Sequence, residues 1–292
     1  MATRKFPRGK TVLITGAARG IGAELARQAT AAGARVALVG LEPDRLSALA
    51  DELGPTASWA ECDVTDQAAL EAAVESTLAA HGAIDIVVAN AGIANHGTIA
   101  VSPPEAVARV IEVNLLGVVR TVTSTLPAVT AARGHYLLIS SAAAFTILPG
   151  MTAYSAAKAG VEQFANGLRL EVAHKGVTVG SAHPIWIDTD MVRDLRDDVG
   201  AARESARRLP GFLGATVSVE DCASTLLDSI ARRARKVYVP RSVAVLSAMR
   251  TIILGPLVER AMIAQAKNHV PQFEAEVLAT GRFFGKNSTA KF

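Results

Sequence analysis

Cysteine is scarce in this chain. Cys62 and Cys222 are the only two in 292 residues, too few for a disulfide framework, and both read as buried, reduced thiols. Metal-ligand spacing is also missing. The six histidines, at 81, 96, 135, 174, 183 and 269, are scattered, and neither HExxH nor CxxC occurs, so no metal site is expected. A surplus of one charge is lacking: 30 Lys and Arg stand against 27 Asp and Glu. The resulting +3 gives no ground for a nucleic-acid partner. The first ten residues hold charges but no apolar core, unlike a secretory signal. The longest apolar stretch, 243–258, is short for a bilayer span and is broken by Arg250, Gly255 and Pro256.

What is present is a folded-protein composition, with 50% apolar and 20% charged residues, which excludes disorder. It is arranged in a regular alternation. Thr11-Val-Leu-Ile-Thr15 is apolar on both faces, as buried parallel strands are. Ile21, Leu25 and Ala29 then recur at intervals of four, one face of a helix. Further strands are expected at 35–40, 57–61, 84–89, 135–140, 177–181 and 236–240. Further helical stretches are expected at 46–53, 70–78, 103–131, 161–172 and 219–232. Alternation of this kind implies right-handed crossovers and an α/β fold, a Rossmann-like doubly wound parallel sheet of about seven strands. The domain is expected over 1–240. Residues 241–292 read as a C-terminal helical extension, not an independent domain.

In such sheets ligands bind beyond the carboxyl ends of the strands. Thr15-Gly-Ala-Ala-Arg-Gly-Ile-Gly22 follows the first strand. Glycine lets the backbone turn tightly and approach a pyrophosphate, while the helix from Gly20 directs free N–H groups at it. Asn90-Ala-Gly92 follows the fourth strand, and Ser140 and Ser141 follow the fifth. Tyr154 and Lys158, four apart, project from one face of the next helix. A Tyr/Lys pair alone is usually a solvated face, and a glycine-rich turn alone is often only a turn. Their joint placement at strand ends points to a nucleotide-dependent site.

Taken together, Thr15-Gly-x-x-x-Gly-Ile-Gly22, Asn90-Ala-Gly92, Asn114, Ser141 and Tyr154-x-x-x-Lys158 resemble the classical short-chain dehydrogenase/reductase family over about residues 8 to 240. The resemblance implies an NAD(P)-dependent oxidoreductase moving a hydride between nicotinamide and a secondary alcohol or ketone, or an aldehyde. It implies Tyr154 as general acid/base, its pKa lowered by two positive charges, Lys158 and the oxidised nicotinamide ring, with Lys158 also binding the nicotinamide ribose. Ser141 would donate to the substrate oxygen, and Asn114 would hold a water linking Lys158 to solvent. Implied cofactor contacts are Gly16, Arg19, Gly20, Ile21 and Gly22 in the first turn, and Asp63 and Val64 beside the adenine. Asn90, Ala91 and Gly92 join them, as do Tyr154, Lys158, Pro184, Ile187 and Thr189. Pro184-Ile185 departs from the family's usual Pro-Gly. Isoleucine is stiff and excludes positive φ, so a bulkier, fixed loop is expected, with Trp186 near the substrate.

Neither usual cofactor discriminator is present. The second strand ends at Gly40 rather than a carboxylate, and Leu41 rather than arginine comes next. Arg19 tips the balance toward NADP by offering a partner for a 2′-phosphate, with Glu42 close by. Residues 190–214 match the family's mobile substrate lid; an exposed helix without a gating role is the other reading. In the extension, Val243, Leu246, Met249, Ile253, Leu254, Leu257 and Val258 make a broad apolar surface beside Arg241, Arg250 and Arg260. Residues 243–266 should be helical, broken at Gly255-Pro256, and should bury that surface at a subunit contact or beside the substrate opening. A monotopic membrane contact is the second reading. Residues 281–292 are expected to be loosely held. The expected partners are an apolar small-molecule substrate and further copies of the chain, as a homodimer or homotetramer. A cytoplasmic location is expected, with membrane association through the tail as the second reading. The alternative function is a dinucleotide-binding regulatory protein without turnover, against which the complete Asn114, Ser141, Tyr154 and Lys158 set stands. An epimerase or dehydratase of the extended branch is disfavoured by the glycine spacing and the chain length.

Overall fold

Apolar strands buried on both faces organise the molecule. The computed structural model describes residues 6, 8–146, 148–198, 200 and 216–288. Every residue of β1 (Thr11–Thr15) is buried. It lies between β2 (Arg35–Gly40) and β4 (Ile86–Ala89). With β3 (Ala57–Glu61), β5 (His135–Ile139), β6 (Thr178–Pro184) and β7 (Lys236–Val239) they form a seven-stranded sheet in the order 3-2-1-4-5-6-7. All its pairings are parallel. The fourth strand begins two residues later than its apolar run suggests, because Asp85 serves as an anchor. Its carboxylate accepts from the Thr11 backbone N–H at 2.9 Å and from Lys10 Nζ at 2.7 Å.

The chain travels outward from β1 to β3, then returns to the other side of β1 as β4. That reversal opens a crevice beyond the carboxyl ends of β1 and β4. Helices cover both faces. Leu25 of α1 (Gly20–Ala31), Leu46 of α2 (Pro43–Leu53) and Leu226 of α8 (Val219–Ala231) fill one apolar layer. Leu70 of α3 (Gln67–His81), Val122 of α5 (Gly117–Ala131) and Leu168 of α6 (Thr152–Val172) fill the other. Each such side chain contributes ~1.5–3 kcal/mol on burial. Short polar caps fix the helix starts. Asp66 accepts from the Ala68 and Ala69 N–H groups of α3, and Ser218 from Asp221 N–H of α8.

The helical stretch expected over 103–131 is not uniform. It comprises α4 (Pro104–Ile111), a π-helical turn (Glu112–Leu116) and α5. The wider turn carries Asn114 inward, where it is fully buried.

Residues 190–198 form α7 (Asp190–Asp198); the rest of the expected lid, 199 and 201–214 apart from Gly200, lies outside the described residues. The extension differs from expectation in two ways. The break at Gly255-Pro256 is present, but a further one at Met249 makes three helices, α9 (Val243–Ala248), α10 (Arg250–Ile253) and α11 (Pro256–Thr280), with Pro256 opening the last. Proline suits a helix start, where its missing N–H has no partner to lose. Of the seven residues expected to form its apolar surface, only Val243 and Leu246 are buried, against Phe145 and Ala142. Val245, Met249, Ile252, Leu254, Leu257 and Ile263 are exposed, Leu257 to 80%. Among the described residues no helix is long and apolar enough to cross a membrane. The second difference concerns the segment expected to be loose. Residues 281–288 dock on the body through backbone and side-chain hydrogen bonds; residues 289–292 lie outside the described residues.

Candidate active site

The crevice between β1 and β4 gathers the sequence motifs along one cleft. At one end lies the Gly16–Gly22 turn, stitched to the end of β4 by Asn90. The Asn90 amide Nδ2 donates to the carbonyls of Thr15 at 3.0 Å and Gly16 at 3.1 Å. Thr15 Oγ1 accepts in turn from the Asn90 and Ala91 N–H groups. A Cβ on Gly22 would collide with the Gly16 carbonyl and stand 2.8 Å from Asn90 Nδ2. Glycine is therefore required there for the turn to close on β4.

Arg19 reaches across the cleft rim rather than into solvent. Its guanidinium forks onto the Glu42 carboxylate, with Nε to Oε2 at 2.7 Å. Asp190 lies 3.5 Å from Nη1. Burial lowers the Arg19 pKa, but the hydrogen bonds and charges of Glu42 and Asp190 outweigh it and raise the value overall. Farther along, Asp63 accepts from the Thr65 N–H and hydroxyl and pairs with Arg109 Nη2 at 2.7 Å. Burial pushes the Asp63 carboxyl up; the Thr65 and Arg109 contacts overcome this and hold it below its ordinary range. Arg109 lines the cleft and escaped the sequence reading, because nothing near it on α4 marks it as a partner of a residue 46 positions earlier.

At the other end stand Ser141, just after β5, and Tyr154 and Lys158, on α6. The Ser141 hydroxyl donates to the Pro184 carbonyl at 3.3 Å and accepts from Ala143 N–H at 3.1 Å. Tyr154 keeps part of its surface open to the cleft. The protein around it nevertheless pushes its pKa above the ordinary 10, and a hydrogen bond with Ser141 only partly offsets this. Lys158 is buried, with Nζ 5.6 Å from the Tyr154 ring centroid and donating to the Ile139 carbonyl at 2.9 Å. Burial lowers its pKa to about 8. Among the groups of this chain desolvation is the largest influence on Tyr154; the lowering implied by the resemblance also counts the nicotinamide charge.

Asn114 joins these groups from the π-turn. Its Nδ2 donates to the Ile93 carbonyl at 2.7 Å and the Val110 carbonyl at 2.9 Å. Its Oδ1 is buried without a hydrogen-bond partner among the described residues. A Cβ built on Gly92 would touch both this oxygen, at 2.7 Å, and Lys158 Nζ, at 3.4 Å. An unfilled acceptor beside a buried lysine is a place for a bridging water.

The remaining cofactor candidates, Gly20, Ile21, Val64, Ala91, Gly92, Pro184, Ile187 and Thr189, also line the cleft. Ile185 packs toward Phe145 and Leu246 and lines the cleft as the expected bulky roof. Trp186 does not join it. Its ring lies under the Arg196 guanidinium of α7, 5.7 Å from the centroid, and its side chain is not among the cleft residues. The turn after Pro184 sends consecutive side chains to opposite sides, so Ile185 faces in and Trp186 faces α7.

A model of the short chain dehydrogenase family matches residues 10–200. The 3-oxoacyl-[acyl-carrier-protein] reductase FabG of Escherichia coli is 37% identical over 207 residues, covering 70% of this chain and 85% of its own. Among solved structures, a short chain dehydrogenase/reductase from Burkholderia phymatum in complex with NAD superposes with a TM-score of 0.73 at 23% identity. It covers 83% of this chain and 93% of its own. A 3-ketoacyl-(acyl-carrier-protein) reductase from Brucella melitensis complexed with NADH gives 0.70 at 25% identity, covering 80% and 97%. The chain belongs to the short-chain dehydrogenase/reductase family. It is an NAD(P)-dependent oxidoreductase, and a regulatory binder without turnover is not favoured. The residues present fit the dinucleotide: Gly16, Gly20 and Ile21 of the turn line the cleft without bulk, together with buried Lys158, while Gly22 lies behind them against Gly16 and Asn90.

Proposed function

We propose that this chain interconverts a secondary alcohol and a ketone, or reduces an aldehyde, on an apolar small molecule. The observation that carries the reading is the convergence of Asn114, Ser141, Tyr154 and Lys158, from three separate segments, on the cleft that holds the glycine-rich turn. The bound nicotinamide cofactor supplies or accepts the hydride. Ser141 orients the substrate oxygen by hydrogen bonding. Tyr154 holds a proton at its phenol oxygen at neutral pH, the form needed to protonate a developing alkoxide. Lys158 stabilises the phenolate left behind, and Asn114 Oδ1 holds the water through which the proton is replaced. Ile93, Ala94, Ile185, Met191 and Val192 give this end of the cleft an apolar lining, which supports an apolar substrate.

On the choice of cofactor, a preference for NADP requires an available Arg19. Glu42 and Asp190 both surround that guanidinium, so we propose NAD(H) instead. Residues 1–240 are proposed as the catalytic and cofactor-binding domain, with 241–292 as an extension of it. The outward apolar face of α9–α11 is proposed to be covered by a second copy of the chain in a cytoplasmic dimer or tetramer. A membrane surface is the second reading, supported by the arginines and the absence of any acidic residue in 241–258.

Tyr154→Phe tests the central reading, since it keeps the ring and removes the proton carrier. Turnover should fall about a hundredfold or more while NADH still binds. Near-normal kcat would sink it.

A further inference from the structure

The chain beyond α11 turns back into the cleft. The Phe283 carbonyl accepts from the His96 N–H at 2.8 Å, and Phe284 forms an antiparallel bridge with Asn95. Both contacts are to the loop after β4. The Phe284 ring is buried among Ala106, Val110 and Ala153, the last of these next to Tyr154. Residues 285–288 then run along α7. Asn287 donates to both carboxylate oxygens of Asp194, through its backbone N–H at 2.9 Å and Nδ2 at 2.7 Å. The Asn287 carbonyl accepts from Arg19 Nη1 at 2.6 Å. One residue thereby joins α7 to the glycine-rich turn. Gly285, Asn287 and Ser288 share the cleft with Gly16, Gly20 and Tyr154.

Two details make this more than a surface tail. Asp194 is only 2% exposed and forms no ion pair among the described residues. A buried carboxylate is costly unless hydrogen-bonded, and Asn287 occupies both of its oxygens. The approach also requires residue 285 to be glycine, because a Cβ there would lie 2.5–2.9 Å from Asp194 side-chain atoms. The family match ends at residue 200, so this wall of the cleft comes from outside it.

We propose that Phe283–Ser288 is a component of the dinucleotide site, a strap that closes on the cofactor with the Asp194–Asn287 contact as its latch. The proposal rests on the oxidoreductase reading above. The bound dinucleotide leaves only when the strap lifts, so its exit rate is the open fraction of the strap multiplied by the exit rate from the open cleft. Loosening the latch raises the open fraction and speeds exit.

The test is NADH dissociation from the full-length protein, followed by stopped-flow fluorescence on displacement with excess NAD. Asn287→Ala should raise the dissociation rate tenfold or more, equivalent to about 1.4 kcal/mol. Its circular dichroism should remain that of a folded chain, which separates latch loss from unfolding. Gly285→Ala, which forces the strap off Asp194, should act in the same direction and serves if Asn287→Ala does not fold. Removal of residues 283–292 should have at least as large an effect. A folded Asn287→Ala or Gly285→Ala protein with a dissociation rate within twofold of the parent overturns the strap and leaves the oxidoreductase reading standing. A parent protein that binds neither NADH nor NADPH overturns both.

Discussion

Replacing Glu42 by glutamine should move the enzyme toward NADPH. Arg19 is held by Glu42 through two of its nitrogens, and the two side chains are 26% and 20% exposed. At an effective dielectric near 20, unit charges 4 Å apart interact by ~4 kcal/mol, and a charge-assisted hydrogen bond contributes ~1.5–3 kcal/mol net. A 2′-phosphate at the rim of β2 would have to draw Arg19 away from Glu42 while facing that carboxylate. Glu42→Gln removes the repulsion and weakens the hold on the guanidinium. The ratio of kcat/KM for NADPH to that for NADH should therefore rise by roughly 10- to 100-fold, or ~1.4–2.8 kcal/mol. The assay is steady-state reduction of one ketone with each cofactor at fixed, low ionic strength, because salt screens a rim charge. Adding Arg19→Ala to Glu42→Gln should abolish the gain, since the two side chains act as a coupled pair. A ratio that moves less than threefold, or a parent enzyme already favouring NADPH, would refute the reasoning.

Acid should destabilise the fold through His135. Burial pushes its pKa down to about 3 from 6.5, and its Nε2 has no partner to share a proton with. The ring is neutral when folded and charges first when unfolded, so stability is complete above about pH 6.5 and is lost as pH falls toward 3. Each pH unit in that window removes up to ~1.4 kcal/mol. Urea unfolding between pH 7 and 4 should show a shallower pH slope for His135→Gln, and identical slopes would contradict the assignment. For the extension, Ile252→Glu with Leu257→Glu should reduce the proposed oligomer to a smaller species in size-exclusion chromatography. An unchanged oligomer, with parent protein that floats with anionic vesicles and variant that does not, would assign the face to a membrane instead.

The parts of this molecule that could be read in sequence are those with a local signature. Thr11–Thr15 and His135–Ile139 are unbroken apolar runs, and such runs have few other uses in a chain of this composition. The glycine turn and the Tyr154/Lys158 spacing are likewise confined to a few residues. What escaped depends on pairing over distance. Arg109 meets Asp63, and Asn287 meets Asp194 and Arg19, yet each looks alone like an ordinary polar residue. Asn114 was found by resemblance, but the π-turn that buries it shifts the helical period by a single residue and leaves no visible break. The extension is legible only in part: its aliphatic side chains demand burial, but a sequence does not say whether the covering surface belongs to the same chain. Trp186 followed the same logic in reverse, a large side chain assigned to the cleft while its neighbour Ile185 took that place.

The reach of the strap also has a bearing on how the protein is made. The contact between Arg19 and Asn287 joins positions 268 residues apart, whereas the last strand of the sheet ends at Val239. Loop-closure entropy rises only by ~0.6 kcal/mol per doubling of length, so the span itself is a small obstacle; timing is the larger matter. Domains fold as units in the order they emerge during synthesis. The sheet, both apolar layers and the glycine turn can assemble while the strap is still inside the ribosome. On the strap proposal, a chain in that stage has a finished floor and an unroofed cleft, open to a dinucleotide before residues 283–288 close over it.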